Sequence, residues 1–204
     1  MSNELIPNKE QFITTATEFF NTLFNSVLKN NLGDIEIRTF KPPSQHFFSS
    51  EEEAAEKAYD LCTKGIDVYF GVNPRADKGG KKENVRWLGV FHSEVDYGTA
   101  GHKKSPNHQT YDEVLNLIRS FRPEPTLIVH SGGGFHCYWV LQNPLNVNEY
   151  GVEALETINK NLSLKLGGDA GTQDVSRVLR VSGTHNFKLP NNPRAVELIS
   201  SSRP

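Results

Sequence analysis

An α+β domain is what the sequence predicts, and three observations carry that reading. Apolar residues recur at helical spacing near the amino terminus, short strand-like runs are bounded by proline and glycine, and a glycine-rich turn joins two apolar runs as a hairpin. The 204 residues suit one large domain with an ample core. With 36% hydrophobic and 23% charged residues, the composition is that of an ordinary soluble globular protein.

Taken in order, Lys9 to Lys29 places Phe12, Phe19, Phe20, Leu23, Phe24, Val27 and Leu28 on one helical stripe, which Asn30, Asn31 and Gly33 should end. Ile35 to Phe40 alternates like a short strand that Lys41-Pro42-Pro43 breaks. Ser50, with Glu53 three residues on, signals a second helix running to Lys64. Ile66 to Val72 reads as a buried strand, and the loop from Ala76 to Asn84 as exposed and mobile. Val85 to Tyr97 is the next strand, followed by a basic loop from Gly98 to His108. Thr110 and Glu113 then offer a capping box for a helix to about Phe121. Thr126 to His130 and Phe135 to Leu141 form the hairpin strands, a helix spans about Asn146 to Leu166, and Arg194 to Ile199 adds a last strand. The opening stretch, residues 1–64, reads as a smaller structural part ahead of residues 65–204.

Several function classes are disfavoured at this stage. Cys62 and Cys137 lie far apart without a CxxC pair, so neither a disulfide framework nor a cysteine-based zinc site is expected, and a reducing cytoplasm fits best. No signal peptide or membrane-spanning run is present, so a soluble intracellular protein without a membrane partner is expected. Neither GxGxxG nor GxxxxGK[ST] occurs, which removes the main signature of dinucleotide and P-loop proteins. The formal charge of -2 argues against a nucleic-acid partner, but its distribution is uneven. Glu51, Glu52, Glu53, Glu56 and Asp60 cluster in one place, while Arg75, Lys78, Lys81, Lys82, Arg86, Lys103 and Lys104 crowd either side of the 85–97 strand.

Three stretches bear chemistry. In VRWLGVFHSEVDY, Glu94 and Asp96 are two apart on a strand and so share a face. Such a pair repels itself unless a cation, a proton or a basic residue intervenes, and hard divalent cations are held in this way. Acids are also ordinary where a strand ends in solvent. In His130-Ser131-Gly132-Gly133-Gly134-Phe135-His136, glycine amides, the serine hydroxyl and His136 could approach an anion closely; a generous hairpin turn is the plainer alternative. From Gly167 to Lys188, the carboxylates Asp169 and Asp174 precede Arg177, Arg180 and Lys188, which suit phosphate contacts, although Asp174 and Arg177 could be no more than a local ion pair.

The order of these stretches resembles the archaeo-eukaryotic primase superfamily, in particular the primase-polymerases of plasmids, phages and mobile elements. There an acidic pair two residues apart on a strand is followed by a serine-glycine turn leading to a histidine, and by a third acid later. Glu94 and Asp96, Ser131 to His136, and Asp174 match in turn; FGVNPR at 70–75 and RVLRVSGTHNFK at 177–188 look like the flanking sequence of phage and plasmid members. The likeness covers roughly residues 65 to 190. The first acid is Glu where the family usually has Asp, Asp169 is a rival for the third position, and no zinc-binding cysteine set is present, so polymerisation is better supported than priming.

The resemblance implies an RRM-like antiparallel sheet as the catalytic core, with a small amino-terminal α/β part. It implies two divalent ions, Mg2+ or Mn2+, on Glu94, Asp96 and Asp174, with His136 as a further catalytic residue and no zinc. Ser131, Gly132, Gly133, Gly134, His136, Arg177, Arg180 and Lys188 would hold the triphosphate of an NTP or dNTP. Asn73, Arg75, Lys78, Lys81 and Lys82 are candidates for template or nucleotide phosphates. A single-stranded DNA template and a helicase domain or protein are the expected partners, in the cytoplasm of a bacterial, archaeal or phage-infected cell. A replication-initiator or single-stranded nucleic-acid-binding module that keeps the fold without polymerising is the alternative. Clustered acids argue against pure binding, and a single histidine in Phe135-His136-Cys137 argues against a nicking initiator.

Overall fold

The structure, a computed structural model, describes residues 8–99 and 107–201. Two four-stranded sheets form an α+β fold, and every pairing between named strands within them is antiparallel. Helix α1 (Lys9–Leu28) opens the chain, capped by the Asn8 side chain on the amides of Glu10 and Gln11. Strands β1 (Ile35–Phe40) and β2 (Pro43–Phe48) make a hairpin, and α2 (Glu51–Cys62) follows with Ser50 accepting from the Glu53 amide. Next come β3 (Tyr69–Gly71), β4 (Trp87–Asp96), α3 (Tyr111–Ser120), β5 (Leu127–His130) and β6 (Gly134–Asn146). Helices α4 (Val147–Tyr150) and α5 (Val152–Lys165) lead to β7 (Val178–Arg180), β8 (His185–Asn186), β9 (Arg194–Ala195) and β10 (Glu197–Ser201).

The first sheet has the order β2-β1-β3-β7 and the second β10-β5-β6-β4. Strand β4 through α3, β5, β6 and α5 to β10 is a β-α-β-β-α-β run, interrupted where the chain crosses to pair β7 with β3. The apolar stripe of α1 (Phe12, Phe19, Phe20, Leu23, Phe24, Val27) packs with α2 between inward residues of both sheets, including Ile37, Phe70 and Leu179 from one and Val90, Val129 and Tyr138 from the other. Helices α3 and α5 cover the opposite face of the second sheet through Val114, Ile118 and Leu155. Each large apolar side chain buried in this way stabilises the fold by about 1.5–3 kcal/mol. Among the described residues, no helix is long and apolar enough to cross a membrane.

Several expected boundaries move. β1 ends at Phe40 as expected, but Pro43 begins a further strand, β2, at a sheet edge and a strand start, where a missing N–H is tolerated. The expected helix over 146–166 is split at Gly151, whose φ of 84° closes α4 and starts α5. A division after Lys64 does not follow the sheets, because β1 and β2 join β3 and β7 in one.

The feature that positions the site is a register shift in β4 between Leu88 and Val90. Leu88 faces the core under α3 and α5, whereas Val90, two residues on, faces α1. Regular alternation would put both on one face, so β4 turns over at Gly89, where the stretch 141–144 of β6 bulges opposite this single residue. The side-chain oxygen of Asn73 accepts from the amides of both Gly89 (3.0 Å) and Val90 (3.1 Å), and its nitrogen donates to the Val175 carbonyl. Nearby, Arg75 is buried against Glu36 at 2.6 Å and donates to the Ser176 carbonyl. Asn73 and Arg75 were expected at template or nucleotide phosphates; both are buried and bonded internally, so they are structural residues. Replacing Asn73 with Ala should cost about 1–3 kcal/mol for each amide left unpaired, read as a lower urea midpoint.

Candidate active site

With β4 turned over at Gly89, Glu94 comes opposite His136 and Asp96 opposite Gly134 on the neighbouring strand β6, so both carboxylates and the imidazole share one sheet face. That face meets the edge of the first sheet. A cavity of about 250 Å³ opens there, lined by Glu94 and His136 from one side and by Phe40, Tyr69, Arg177 and Arg180 from the other.

Arg177 grips Glu94 with two nitrogens, Nε at 2.7 Å and Nη2 at 2.6 Å, both on Oε1. Burial raises the Glu94 carboxyl above the usual range; Arg177 opposes this, and the Asp96 charge adds to it. His136 is buried, and burial pushes its pKa down to about 3, with the Arg180 and Arg177 charges acting in the same direction. The imidazole is therefore neutral near pH 7. Its Nδ1 lies 3.4 Å from the Tyr138 hydroxyl and its Nε2 4.0 Å from Glu94. If Tyr138 donates to Nδ1, the ring proton sits on Nε2, which then has a hydrogen bond to offer an anion. Arg180 bonds Asp67 at 3.0 Å and the Tyr69 hydroxyl at 2.9 Å, and lies 5.0 Å from the centre of the Tyr69 ring.

Other candidates fall elsewhere. Ser131 is buried and its hydroxyl donates to the Gly134 carbonyl at 3.1 Å, closing the turn where a phosphate contact was expected. Gly132, at φ 85°, backs onto Asn186 and Arg194 too closely for a side chain, and a Cβ on Gly134 would meet the Asp96 carboxylate. Gly133 accepts at 3.4 Å from the Tyr97 amide. Asp174, expected as the third metal ligand, pairs with Lys82 at 3.3 Å, and Lys82 also binds Glu156 at 2.7 Å. Its rival Asp169 caps the Gly171 amide. Among the described residues, no three His, Cys, Asp or Glu side chains gather closely enough to hold a metal ion. Lys78 and Lys188 are exposed and do not line the cavity, and exposed Lys81 pairs with Glu83. Lys103 and Lys104 lie outside the described residues.

The donor chemistry of Glu94 and Asp96, two carboxylates on one face close enough to perturb each other, fits a hard divalent cation. The third carboxylate of the expected set is not gathered with them. Sequence reasoning missed Phe40 and Tyr69, which looked like ordinary strand residues. The available signal was alternation: Phe70 is buried in the core, so Tyr69 must face the other way.

Comparison with known proteins agrees with this architecture. No family model matches the chain. A replication protein of Clostridium perfringens is 24% identical over 129 residues, which is 63% of this chain and 31% of that protein, so the chain spans about a third of its relative. Among solved structures, the archaeo-eukaryotic primase domain of the cyanophage S-2L primase-polymerase superposes with a TM-score of 0.63 at 15% identity, covering 94% of this chain and 91% of that one. The primase RepB′ gives 0.58 at 17% identity over 95% of this chain and 57% of the other. The RepB′ catalytic domain in complex with initiator DNA gives 0.58 at 16% identity, covering 91% and 85%. The chain thus has the fold of the archaeo-eukaryotic primase catalytic domain.

Burial also sets a pH dependence. His92, buried with Nε2 at 3.0 Å from the Thr172 carbonyl, is lowered to about 4 and His136 to about 3, while an unfolded histidine titrates near 6.5. The unfolded chain therefore takes up these protons first, so this stabilisation is complete above pH 6.5 and is lost as the pH falls toward 4 and 3. Urea midpoints should drop between pH 7.5 and pH 5, and H136Q should lose part of that slope.

Proposed function

We propose that this chain is a primase-polymerase catalytic domain, transferring nucleotides to a strand templated by single-stranded DNA. The observation that carries the proposal is the cavity in which Glu94, His136, Arg177 and Arg180 meet at the junction of the two sheets. Cationic and neutral donors face the Glu94 carboxylate there, and Asp96 follows on the same strand face, a combination suited to an anionic substrate accompanied by a cation. The primase fold and the initiator DNA bound to one structural neighbour support DNA as partner.

In this reading, Glu94 and Asp96 would hold Mg2+ or Mn2+, which supplies charge neutralisation on the triphosphate and a more acidic primer 3′-hydroxyl. His136 would donate from Nε2 to a phosphate oxygen without carrying charge of its own. Arg177 neutralises Glu94 in the present arrangement; turning to the phosphates of an NTP or dNTP would let it pair with them and release the carboxylate. Arg180, braced by Asp67 and Tyr69, would add a fixed positive charge. The primer hydroxyl attacks the α-phosphorus, the new phosphodiester forms, and the bond to the departing pyrophosphate breaks. Asp174, tied to Lys82, stays outside this core constellation. A helicase domain or partner would supply single-stranded template.

The test is an extension assay on single-stranded DNA with labelled nucleotides, in Mg2+ or Mn2+, with and without a primer. Product in both reactions establishes a primase-polymerase; product only with a primer leaves a polymerase core; DNA binding without product in either leaves a binding module. E94Q and D96N should each reduce extension at least about a hundredfold while remaining folded by circular dichroism, because the charge each removes would hold the cation. For H136A the expected change is a raised KM for the nucleotide, about tenfold for one lost hydrogen bond, with template affinity unchanged.

A further inference from the structure

Phe40 is 52% exposed, and it lines the same cavity as Glu94, His136, Arg177 and Arg180. Single exposed apolar residues are ordinary on a protein surface. This one differs in its setting. Phe40 ends β1, Tyr69 lies on the adjacent β3, and Arg180 on β7 beyond it, so the three cross the sheet strand by strand. The Phe40 and Tyr69 rings meet edge to face at 5.1 Å, which fixes the tilt of Phe40. Tyr69 itself is occupied, with Phe40 on one side and the Arg180 guanidinium 5.0 Å from its centre. Of these two rings, Phe40 is the one left open to a ligand.

We infer that Phe40 is the stacking platform for the base of the incoming nucleotide. This rests on the cavity being a nucleotide site. The spacing fits the ligand: Phe40 and Arg180 are two strands apart, about 10 Å at the usual strand separation, a span that the sugar and α-phosphate of a nucleotide bridge. An apolar ring at one end and guanidinium groups at the other match a molecule with an apolar base and an anionic tail. Stacking also suits a templated reaction. Every base has a π-face, so a ring platform accepts all four bases and leaves selection to pairing with the template, whereas hydrogen bonds to base edges would impose a preference.

The experiment is isothermal titration of the full chain with dATP and, separately, with inorganic tripolyphosphate, both in Mg2+ buffer. Loss of a stacking ring should weaken dATP binding by F40A about five- to a hundredfold. Tripolyphosphate, which has no base, should bind F40A and the unaltered protein equally, and F40W should restore dATP affinity. An F40A variant that binds dATP normally, or that loses both ligands to the same degree, overturns the inference. Primer extension run alongside separates the two readings. Phe40-dependent dATP binding without extension overturns nucleotide transfer and leaves the platform standing; extension with normal dATP binding by F40A does the reverse. No dATP binding by the unaltered protein overturns both.

Discussion

The site depends on one side-chain amide. By accepting from two successive amides of β4, Asn73 holds that strand at the point where it turns over and so fixes which face its carboxyl end presents. With regular alternation continued from Leu88, Glu94 and Asp96 would point under α3 and α5, into an apolar layer that disfavours ionised carboxylates. The clamp belongs to the loop after β3, and its remaining hydrogen bond goes to Val175, just before the segment that carries Arg177 and Arg180. One residue thereby ties β4 to the loop after β3 and to the segment that leads into β7, three of the parts of the chain around the cavity.

Around that frame the charges are arranged in closed pairs. Glu36 lies fully buried between Arg75 and Arg38, Asp67 takes Arg180, Glu94 takes Arg177, and Asp174 shares Lys82 with Glu156. A buried charge left alone costs several kcal/mol, so the pairing lets a polar cleft exist inside a folded domain. The pairs differ in exposure. Glu36 and Arg75 are sealed, whereas Glu94 and Arg177 retain 22% and 29% side-chain exposure, enough for a substrate to compete for them. Two pairs of the same chemistry are thus sealed from solvent in one place and open to it in the other.

Much of this was legible in the sequence, and the limits have physical causes. The α1 stripe, the Ser50 and Thr110 caps and the β5-β6 hairpin follow from local periodicity and capping chemistry, and they stand where expected. Glu94, His136 and Arg180 converge because the registers of β4, β6 and β7 turn them to the same junction, and Arg177 reaches it from the residue just before β7. Asn73 and Arg75 were misplaced because a polar residue after a buried strand looks the same whether it meets solvent or an internal partner; Glu36 and the Gly89 amide lie far away or on another strand. Ser131 and Asp174 differ for a similar reason, since each has a protein partner nearer than any ligand. Phe40 has no local signature at all: its setting exists only once β1, β3 and β7 are side by side.

The strand that bears the carboxylates ends its sheet, with β6 on one side only. Its other side is closed by α5 and the segment after it: the Asn159 side chain of α5 accepts from the His92 amide, and Gly168 lies so close to the Glu94 carbonyl that any side chain there would collide with it. An uncovered strand edge of this length, ten residues from Trp87 to Asp96, is a template on which a second molecule can add its own strand. A helix side chain and a bare backbone thus cover the edge of the strand whose carboxylates face the cleft, so the surface that is open to a ligand and the edge that is closed to another strand belong to the same few residues.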